Sequence, residues 1–501
     1  MTDEPRGSVA PSPDAAPPSA PLHGLLALPA TVPAAPLPAL RPSVALLTDR
    51  YELTMLQAAL ADGTAHRHCV FEVFTRRLPA GRRYGVLAGT GRILEALTHF
   101  RFGDAELTYL ERAGVVDDRT LDFLRGYRFT GSIQGYAEGE VFFPGSPVLQ
   151  VEGTFAEAVL LETLILSILN YDSAIASAAS RMTSAAVDRP VLEMGSRRAH
   201  EQAAVAAARS AVVGGFAGTS NLEAGMRYGL DTIGTAAHAF TLLHDDERSA
   251  FDSQVASLGS GTTLLVDTYD VRRGVENAVA AGGTSLGAVR LDSGDLGVLA
   301  VEVRRQLDEL GATGTKIVVT SDLDEHAIAG LAAMPVDVYG VGTSLVTGSG
   351  APTCGMVYKL VARADASGVL QPVAKASALK TSQGGRKGAA RRFGPDGRAV
   401  AEVLVTGPDD LVVAWSPEDG ASAGSASAAW PDETDDGARP DLRSLLVPLV
   451  VDGAVDSRWV GAYGVQNAAR HHLQARAELP RGGRRLSAGD PAIPTVDLVL
   501  S

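Results

Sequence analysis

The segment Ala288-Val289-Arg290-Leu291-Asp292-Ser293-Gly294-Asp295 decides the fold. A short apolar run ends in polar residues, and a helical stretch, 296–310, follows it. The same unit recurs on either side. Upstream lie Pro190-Val191-Leu192-Glu193-Met194, Thr232-Ile233-Gly234-Thr235 and Leu264-Leu265-Val266-Asp267; downstream lie Ile317-Val318-Val319-Thr320 and Val336-Asp337-Val338-Tyr339-Gly340. Helical stretches at 199–213, 271–281 and 324–333 fall between them. Six β-α units in succession predict a parallel sheet. Their spacing is too irregular for a solenoid repeat. Such a sheet closes into a barrel or stays open and doubly wound. No Gly-x-Gly-x-x-Gly turn follows the first strand, which lowers the dinucleotide-binding version. The expected fold class is α/β, with an irregular (β/α) barrel across 155–353. In either architecture the chemistry gathers at the carboxyl ends of the strands.

Outward from this centre the pattern changes. Residues 41–154 read as an N-terminal α+β domain. Thr48-Asp49-Arg50-Tyr51-Glu52-Leu53 predicts a helix start with Asp49 and Glu52 at capping-box spacing, and Leu53, Leu56 and Leu60 share one face. Val70-Phe71-Glu72-Val73-Phe74 reads as an alternating strand, and 131–153 as short strands with turns. Residues 354–501 return to short strands, with a helical segment from 465 and a low-complexity Ala/Ser/Gly stretch at 420–428. Residues 1–40, rich in Pro, Ala and Ser, read as a disordered tail. They open on acidic residues and lack the basic start of a signal peptide.

The 501 residues leave room for two or three domains. With 46% hydrophobic and 20% charged residues, the composition is that of a globular protein. A net charge of −14 argues against a chain whose main work is gripping nucleic acid. The best membrane-span candidate, 158–170, is too short and contains Glu162. Cys69 and Cys354 are the two cysteines. That excludes a disulfide framework or a Cys-based zinc site and suits a reducing cytoplasm.

The six strand ends carry arginines, carboxylates, one histidine and Gly/Thr/Ser turns. They read Met194-Gly195-Ser196-Arg197-Arg198, Gly234-Thr235-Ala236-Ala237-His238, Asp267-Thr268-Tyr269-Asp270, Arg290-Leu291-Asp292, Thr320-Ser321-Asp322 and Gly340-Val341-Gly342-Thr343-Ser344. Arginine can clamp phosphate or carboxylate bidentately. Backbone N–H groups of a Gly-rich turn hold phosphate. Carboxylates accept from ribose hydroxyls or hold Mg²⁺. The set suits a phosphorylated sugar substrate.

Taken with Thr48-Asp49-Arg50-Tyr51-Glu52-Leu53-Thr54-Met55 and Gly214-Gly215-Phe216-Ala217-Gly218-Thr219-Ser220-Asn221, these pieces resemble the nicotinate phosphoribosyltransferases, type II phosphoribosyltransferases, in the correct order from about residue 44 to about 490. The resemblance implies a smaller β-rich domain, built from N- and C-terminal segments and packed on the barrel, and a homodimer with shared active sites. It implies joining of nicotinate to 5-phosphoribosyl 1-pyrophosphate, with release of nicotinate mononucleotide and pyrophosphate. ATP hydrolysis would be coupled through a phosphohistidine, in an ATP-dependent, ligase-type reaction with Mg²⁺. Small-molecule substrates are the partners expected, with no nucleic acid and no membrane.

On this resemblance His238 is the phosphate-accepting histidine. His200 and His244 fall in helical stretches away from the strand ends. Arg197, next to Ser196, looks like the clamp for the nicotinate carboxylate, and Gly234 allows close approach to the ring. Tyr51 resembles the tyrosine that reaches across the dimer to stack on the base. Met194 stands where part of the superfamily has an aromatic residue, and Ala239 where many relatives carry Ser. Asp292 is expected on the ribose hydroxyls, Arg290 on phosphate, and Asp267 beside Mg²⁺ or the diphosphate. Ser321, Gly340, Gly342 and Thr343 would form the 5′-phosphate pocket. Asp295 and Asp322 are expected to cap helices. The basic cluster Arg386-Lys387-Gly388-Ala389-Ala390-Arg391-Arg392 reads as a solvated loop, with reach toward phosphate suggested by similarity.

Two rival readings remain. A nicotinamide-using relative would favour a carboxylate near Ser220-Asn221, and neither these two residues nor their immediate neighbours Thr219 and Leu222 supply one. A catalytically inactive nucleotide-binding regulator is opposed by intact Arg197, His238 and Asp292.

Overall fold

Val, Ile and Leu dominate the short apolar runs in the middle of the chain, and these runs pair as one parallel sheet. The computed structural model describes residues 43–375, 383–416 and 441–501. The tail expected at 1–40 and the stretch at 420–428 lie outside them. Residues Ser43–Ser501 form one compact unit.

The parallel sheet has six strands, in spatial order Gly218–Thr219, Val191–Glu193, Val338–Val341, Lys316–Val319, Ala288–Leu291 and Thr263–Leu265. Register places Val319 beside both Leu291 and Tyr339, and Val341 beside Glu193. All six carboxyl ends therefore meet one rim. Helices Glu201–Val213, Val271–Gly282, Leu296–Glu309 and Glu325–Gly330 fall where helical stretches are expected. The result is a mixed α/β fold with a curled, half-barrel parallel sheet. No ladder joins the two edge strands among the described residues.

One expected strand is corrected. Thr232–Thr235 contributes only a single bridge, Thr219 to Thr232, and Gly218–Thr219 takes the edge position. The segment has another task. The Ile233 N–H bonds Thr219 O at 2.9 Å, and Thr235 and Ala236 are tied to Arg290. It therefore crosses from one edge of the sheet toward the opposite strand ends, with its polar residues exposed.

A seven-stranded sheet joins segments from before and after the parallel sheet, in the order Leu370–Pro372, Met356–Ala364, His68–Thr75, Leu149–Thr154, Ser132–Tyr136, Leu446–Val451 and Ala454–Val455. His68–Thr75 does not alternate between buried and exposed faces. Every residue from Cys69 to Thr75 is buried, because the strand is central and covered on both sides. A four-stranded sheet holds Asp441–Ser444, Gly388–Phe393, Ala399–Thr406 and Thr495–Val499.

Helix Glu162–Ala186 connects the two main cores. Leu164, Ile165, Ile168 and Leu169 belong to the core of the seven-stranded sheet. Ile175, Ala178, Ala179 and Met182 belong to that of the parallel sheet. Among the described residues no helix is long and apolar enough to cross a membrane.

The expected capping box at the first helix is also corrected. Helix Arg50–Asp62 starts after Asp49, whose side chain makes no cap bond. Glu52 is fully buried and accepts instead from the Thr163 N–H at 2.9 Å and from the hydroxyls of Thr48 and Thr163. It satisfies an orphan donor at the start of helix Glu162–Ala186, a stronger demand than capping its own helix. Burial pushes the Glu52 carboxyl up to about 7.

Candidate active site

The carboxyl ends of strands Thr263–Leu265, Ala288–Leu291 and Lys316–Val319 lie side by side in the sheet, and the polar residues after them assemble one cluster. His238 opens helix His238–Leu242. Its Nδ1 shares a 3.1 Å hydrogen bond with Thr268 Oγ1. Its Nε2 lies 3.9 Å from Asp267 Oδ1 and 3.9 Å from Asp292 Oδ2. The imidazole is 39% exposed, so one side of the ring is open to a ligand. Asp267 is only 2% exposed. Its Oδ2 accepts from the Asp292 N–H at 2.8 Å and from the Ser293 hydroxyl at 2.8 Å. Its Oδ1 has no hydrogen-bond partner among the described residues and is aimed at the ring.

Arg290 braces this cluster. Its Nε donates to Thr320 Oγ1 at 3.0 Å, and Nη1 donates to Thr235 Oγ1 and the Ala236 carbonyl, each at 3.2 Å. Nη2 is 3.2 Å from Asp292 Oδ1. Thr320 donates its own hydroxyl to Asp292. Most of the guanidinium is thus committed to holding Asp292 and the segment that carries His238. One Nη2 hydrogen is left uncommitted among the described residues.

Gly340, Gly342, Thr343 and Ser321 lie on the same rim, at the ends of the adjacent Val338–Val341 and Lys316–Val319 strands. Gly340 is required by space: a Cβ there would stand 2.5 Å from Thr320 Cγ2 and 2.8 Å from Met194 Sδ. Ser321 has φ of 134°, a backbone conformation rare outside glycine. Asp295 caps helix Leu296–Glu309 through the Val298 N–H at 3.2 Å, as expected. Asp322 does not cap. Asp324 takes that role for helix Glu325–Gly330, because only its carboxylate is in reach of the His326 and Ala327 N–H groups.

Arg197 and Ser196 belong to the turn Ser196–Arg198 that follows the next strand, Val191–Glu193. The Arg197 side chain is exposed and makes no ion pair or hydrogen bond among the described residues. Asn221 donates from Nδ2 to Ser196 Oγ at 3.0 Å. Gly234 is exposed, and a Cβ there would meet nothing within 4 Å. The order of strand ends puts Gly340 and Gly342 between the Arg197 turn and the His238 cluster.

Tyr51 is 44% exposed. The charges that act on it most are those of Glu162, Glu52 and Asp49. Burial and these carboxylates push its phenol upward. His200 caps helix Glu201–Val213, and His244 bonds the Phe240 carbonyl at 2.9 Å. The cluster at 386–392 is not a solvated loop. Arg386 pairs with Glu152 and Asp409, Lys387 with Glu72, and fully buried Arg391 with Glu402. Arg391 lies on Gly388–Phe393, an interior strand of its sheet, and Arg386 and Lys387 just before it are buried against their carboxylates.

The sequence reading passed over Thr320, Thr268, Thr235 and Ser293, which hold the charged residues in place. Each sits at a strand end or on the crossing segment, which was the available signal. It also overlooked Glu193. Near Ser220-Asn221 the chain itself carries Glu223, two residues after Asn221 and paired with Arg227 at 2.6 Å, and the fold also brings Glu193 beside them from the neighbouring strand. Its oxygens accept from Gly195 N–H and the Thr219 hydroxyl and it is fully buried, so it is not presented to a ligand. Among the described residues no three His, Cys, Asp or Glu groups come close enough to hold a metal by themselves.

Residues 46–170 match the family described as nicotinate phosphoribosyltransferase (NAPRTase) N-terminal domain. A nicotinate phosphoribosyltransferase of Mycobacterium tuberculosis is 56% identical over 458 residues, covering 90% of this chain and 94% of that relative. One of Bacillus subtilis is 41% identical over 329 residues, covering 64% and 67%. Among solved structures, human nicotinic acid phosphoribosyltransferase superposes with a TM-score of 0.73 at 27% identity, covering 91% of this chain and 98% of that one.

Proposed function

The chain belongs to the nicotinate phosphoribosyltransferase family, and from that premise we propose how its rim carries out transfer of a phosphoribosyl group to nicotinate. The nicotinate ring nitrogen attacks C1 of 5-phosphoribosyl 1-pyrophosphate, the C1–O bond breaks, and pyrophosphate leaves. The ring nitrogen is already a nucleophile, so no general base is needed. Arg197, with an uncommitted guanidinium, receives the nicotinate carboxylate. Gly234 and Ser196 border the ring. Ser321, Gly340, Gly342 and Thr343 receive the 5′-phosphate, and Arg290 offers its remaining N–H to phosphate. Asp292 accepts from the ribose hydroxyls. With Asp267 it stabilises positive charge developing on the sugar. Fixing ring and sugar together removes much of the entropic barrier.

The observation that carries this reading is the placement of His238 Nε2 at 3.9 Å from two carboxylates on the braced rim. His238 takes the γ-phosphoryl group of ATP on a ring nitrogen, releasing ADP, and water later cleaves the phosphoimidazole. This makes the enzyme ATP-dependent and ligase-type. The unpartnered Asp267 Oδ1 and the nearby Asp292 are hard oxygen donors that suit Mg²⁺ shared with substrate phosphates. Bound there, Mg²⁺ would neutralise charge on the diphosphate.

Exposed Leu222 and Met226, one helical turn apart just after Asn221, and exposed Leu242 and Leu243, just after the His238 turn, support a homodimer with shared sites. Tyr51 then stacks on the base of the other subunit. The same reading closes the half-barrel into an irregular barrel and groups N- and C-terminal strands as a smaller domain. The buried, free Cys69 and Cys354 support a reducing, cytoplasmic setting.

Incubation with ATP labelled at the γ-phosphate tests the reading. An acid-labile, alkali-stable label is expected on the protein and should vanish in His238→Ala, which retains slow ATP-independent turnover. Equal wild-type rates with and without ATP, and no label, would refute the coupling.

A further inference from the structure

Arg197 has a free head on a fastened base, and the fastening converges on Glu193. This carboxylate is fully buried at the end of strand Val191–Glu193. One oxygen accepts from the Gly195 N–H, at the start of the Arg197 turn. The other accepts from the hydroxyl of Thr219, itself fully buried. Thr219 Oγ1 in turn accepts from the Asn221 N–H at 2.9 Å, and Asn221 Nδ2 donates to Ser196 Oγ at 3.0 Å. The Glu193 carbonyl also takes the Ser220 N–H at 2.8 Å. The turn before Arg197 is therefore gripped at two successive residues, Gly195 and Ser196, through one closed chain of hydrogen bonds.

The cost of this arrangement points to a purpose. A buried carboxylate without a cation is expensive, and burial raises its pKa. No arginine, lysine or histidine pairs with Glu193 among the described residues. Nor is there room for the turn to settle elsewhere: a Cβ at Gly195 would stand 2.3 Å from Val346 Cγ1 and 3.1 Å from the Gly342 carbonyl. The Arg197 turn is thus wedged against the turn of the proposed phosphate pocket while Glu193 holds it from behind.

We infer that Glu193 is a positioning residue for the acidic acceptor, acting with Thr219 and Asn221 to set where the Arg197 guanidinium stands. This rests on the reading of Arg197 as the nicotinate clamp. A carboxylate clamp works only when its planar fork meets both acceptor oxygens, so loosening the turn penalises nicotinate and spares the phosphoribosyl substrate.

The test compares Thr219→Val, Thr219→Ser, Glu193→Gln and Arg197→Lys in steady-state kinetics, with thermal melting as the measure of folding. Thr219→Val keeps shape and removes the hydroxyl. It should raise KM for nicotinate about five- to tenfold, the worth of one or two lost hydrogen bonds. KM for 5-phosphoribosyl 1-pyrophosphate and kcat at saturation should stay within about twofold. Thr219→Ser should restore the wild-type value, and Glu193→Gln should follow Thr219→Val, serving in its place if that variant does not fold. If Arg197→Lys raises the nicotinate KM while Thr219→Val and Glu193→Gln leave it unmoved, or lower kcat/KM equally for both substrates, the positioning role is refuted. If Arg197→Lys itself leaves that KM unmoved, the clamp reading fails, and the positioning role with it.

Discussion

Gly340→Ala is a one-carbon change whose consequence can be worked from the structure. The new Cβ would stand 2.5 Å from Thr320 Cγ2, about 1 Å inside ordinary contact, and 2.8 Å from Met194 Sδ. Met194 is flexible and can turn aside. Thr320 cannot, because it is buried and its N–H is held by Leu291 O at 2.9 Å. It must rotate or shift, and its hydroxyl joins Arg290 to Asp292. Overpacking of this kind costs about 2 kcal/mol. Felt at the transition state, that corresponds to about a thirtyfold loss of kcat/KM. Pyrophosphate release under varied 5-phosphoribosyl 1-pyrophosphate measures it. The control is Gly340→Ala combined with Thr320→Ser. Serine lacks Cγ2 but keeps the hydroxyl, so the double variant should recover most of the lost activity although Thr320→Ser alone gives no gain. Near-normal kcat/KM in Gly340→Ala, or no recovery in the double variant, would refute the argument that Thr320 transmits the clash.

Two further outcomes concern stability. Val187, exposed at the end of helix Glu162–Ala186, has φ of 59° and ψ of −108°, a region that disfavours a β-branched residue. Val187→Gly should therefore raise stability by about 1 kcal/mol in denaturant titration, and a loss would show that the strain is absent. Because Glu52 keeps its proton up to about pH 7 in the folded chain, folded protein binds more protons than unfolded between about 4.5 and 7, and its contribution to stability falls as pH rises through that window. Comparing wild type with Glu52→Gln at pH 5 and 7.5 should show their difference in unfolding free energy changing by on the order of 2 kcal/mol, wild type gaining at the acid end. His472, held down to about 3 by burial, tilts the opposite way but cancels in the difference, so a pH-independent gap would remove Glu52 as the source.

Much of this protein was legible along the chain because the signals are local. Apolar runs such as Ile317-Val318-Val319 become strands wherever both faces are covered, and polar residues directly after them land on one rim through parallel register. Arg197, Asp267, Arg290 and Asp292 could be marked in that way, whereas His238 arrives on the crossing segment after Thr232, which makes only a single bridge to the sheet. The tertiary structure decided which partners they have. Arg290 and Thr320 are thirty residues apart, Asp267 and Asp292 twenty-five, and Glu193 and Thr219 twenty-six; only strand order and register bring each pair within a hydrogen bond. The same holds for Arg386, Lys387 and Arg391, which as a string look solvated and in the fold meet Glu152, Glu72 and Glu402 inside. Periodicity reports how one element meets its surroundings. The neutralisation of a buried charge depends on what a second, distant element offers, and that choice is made only when the two pack.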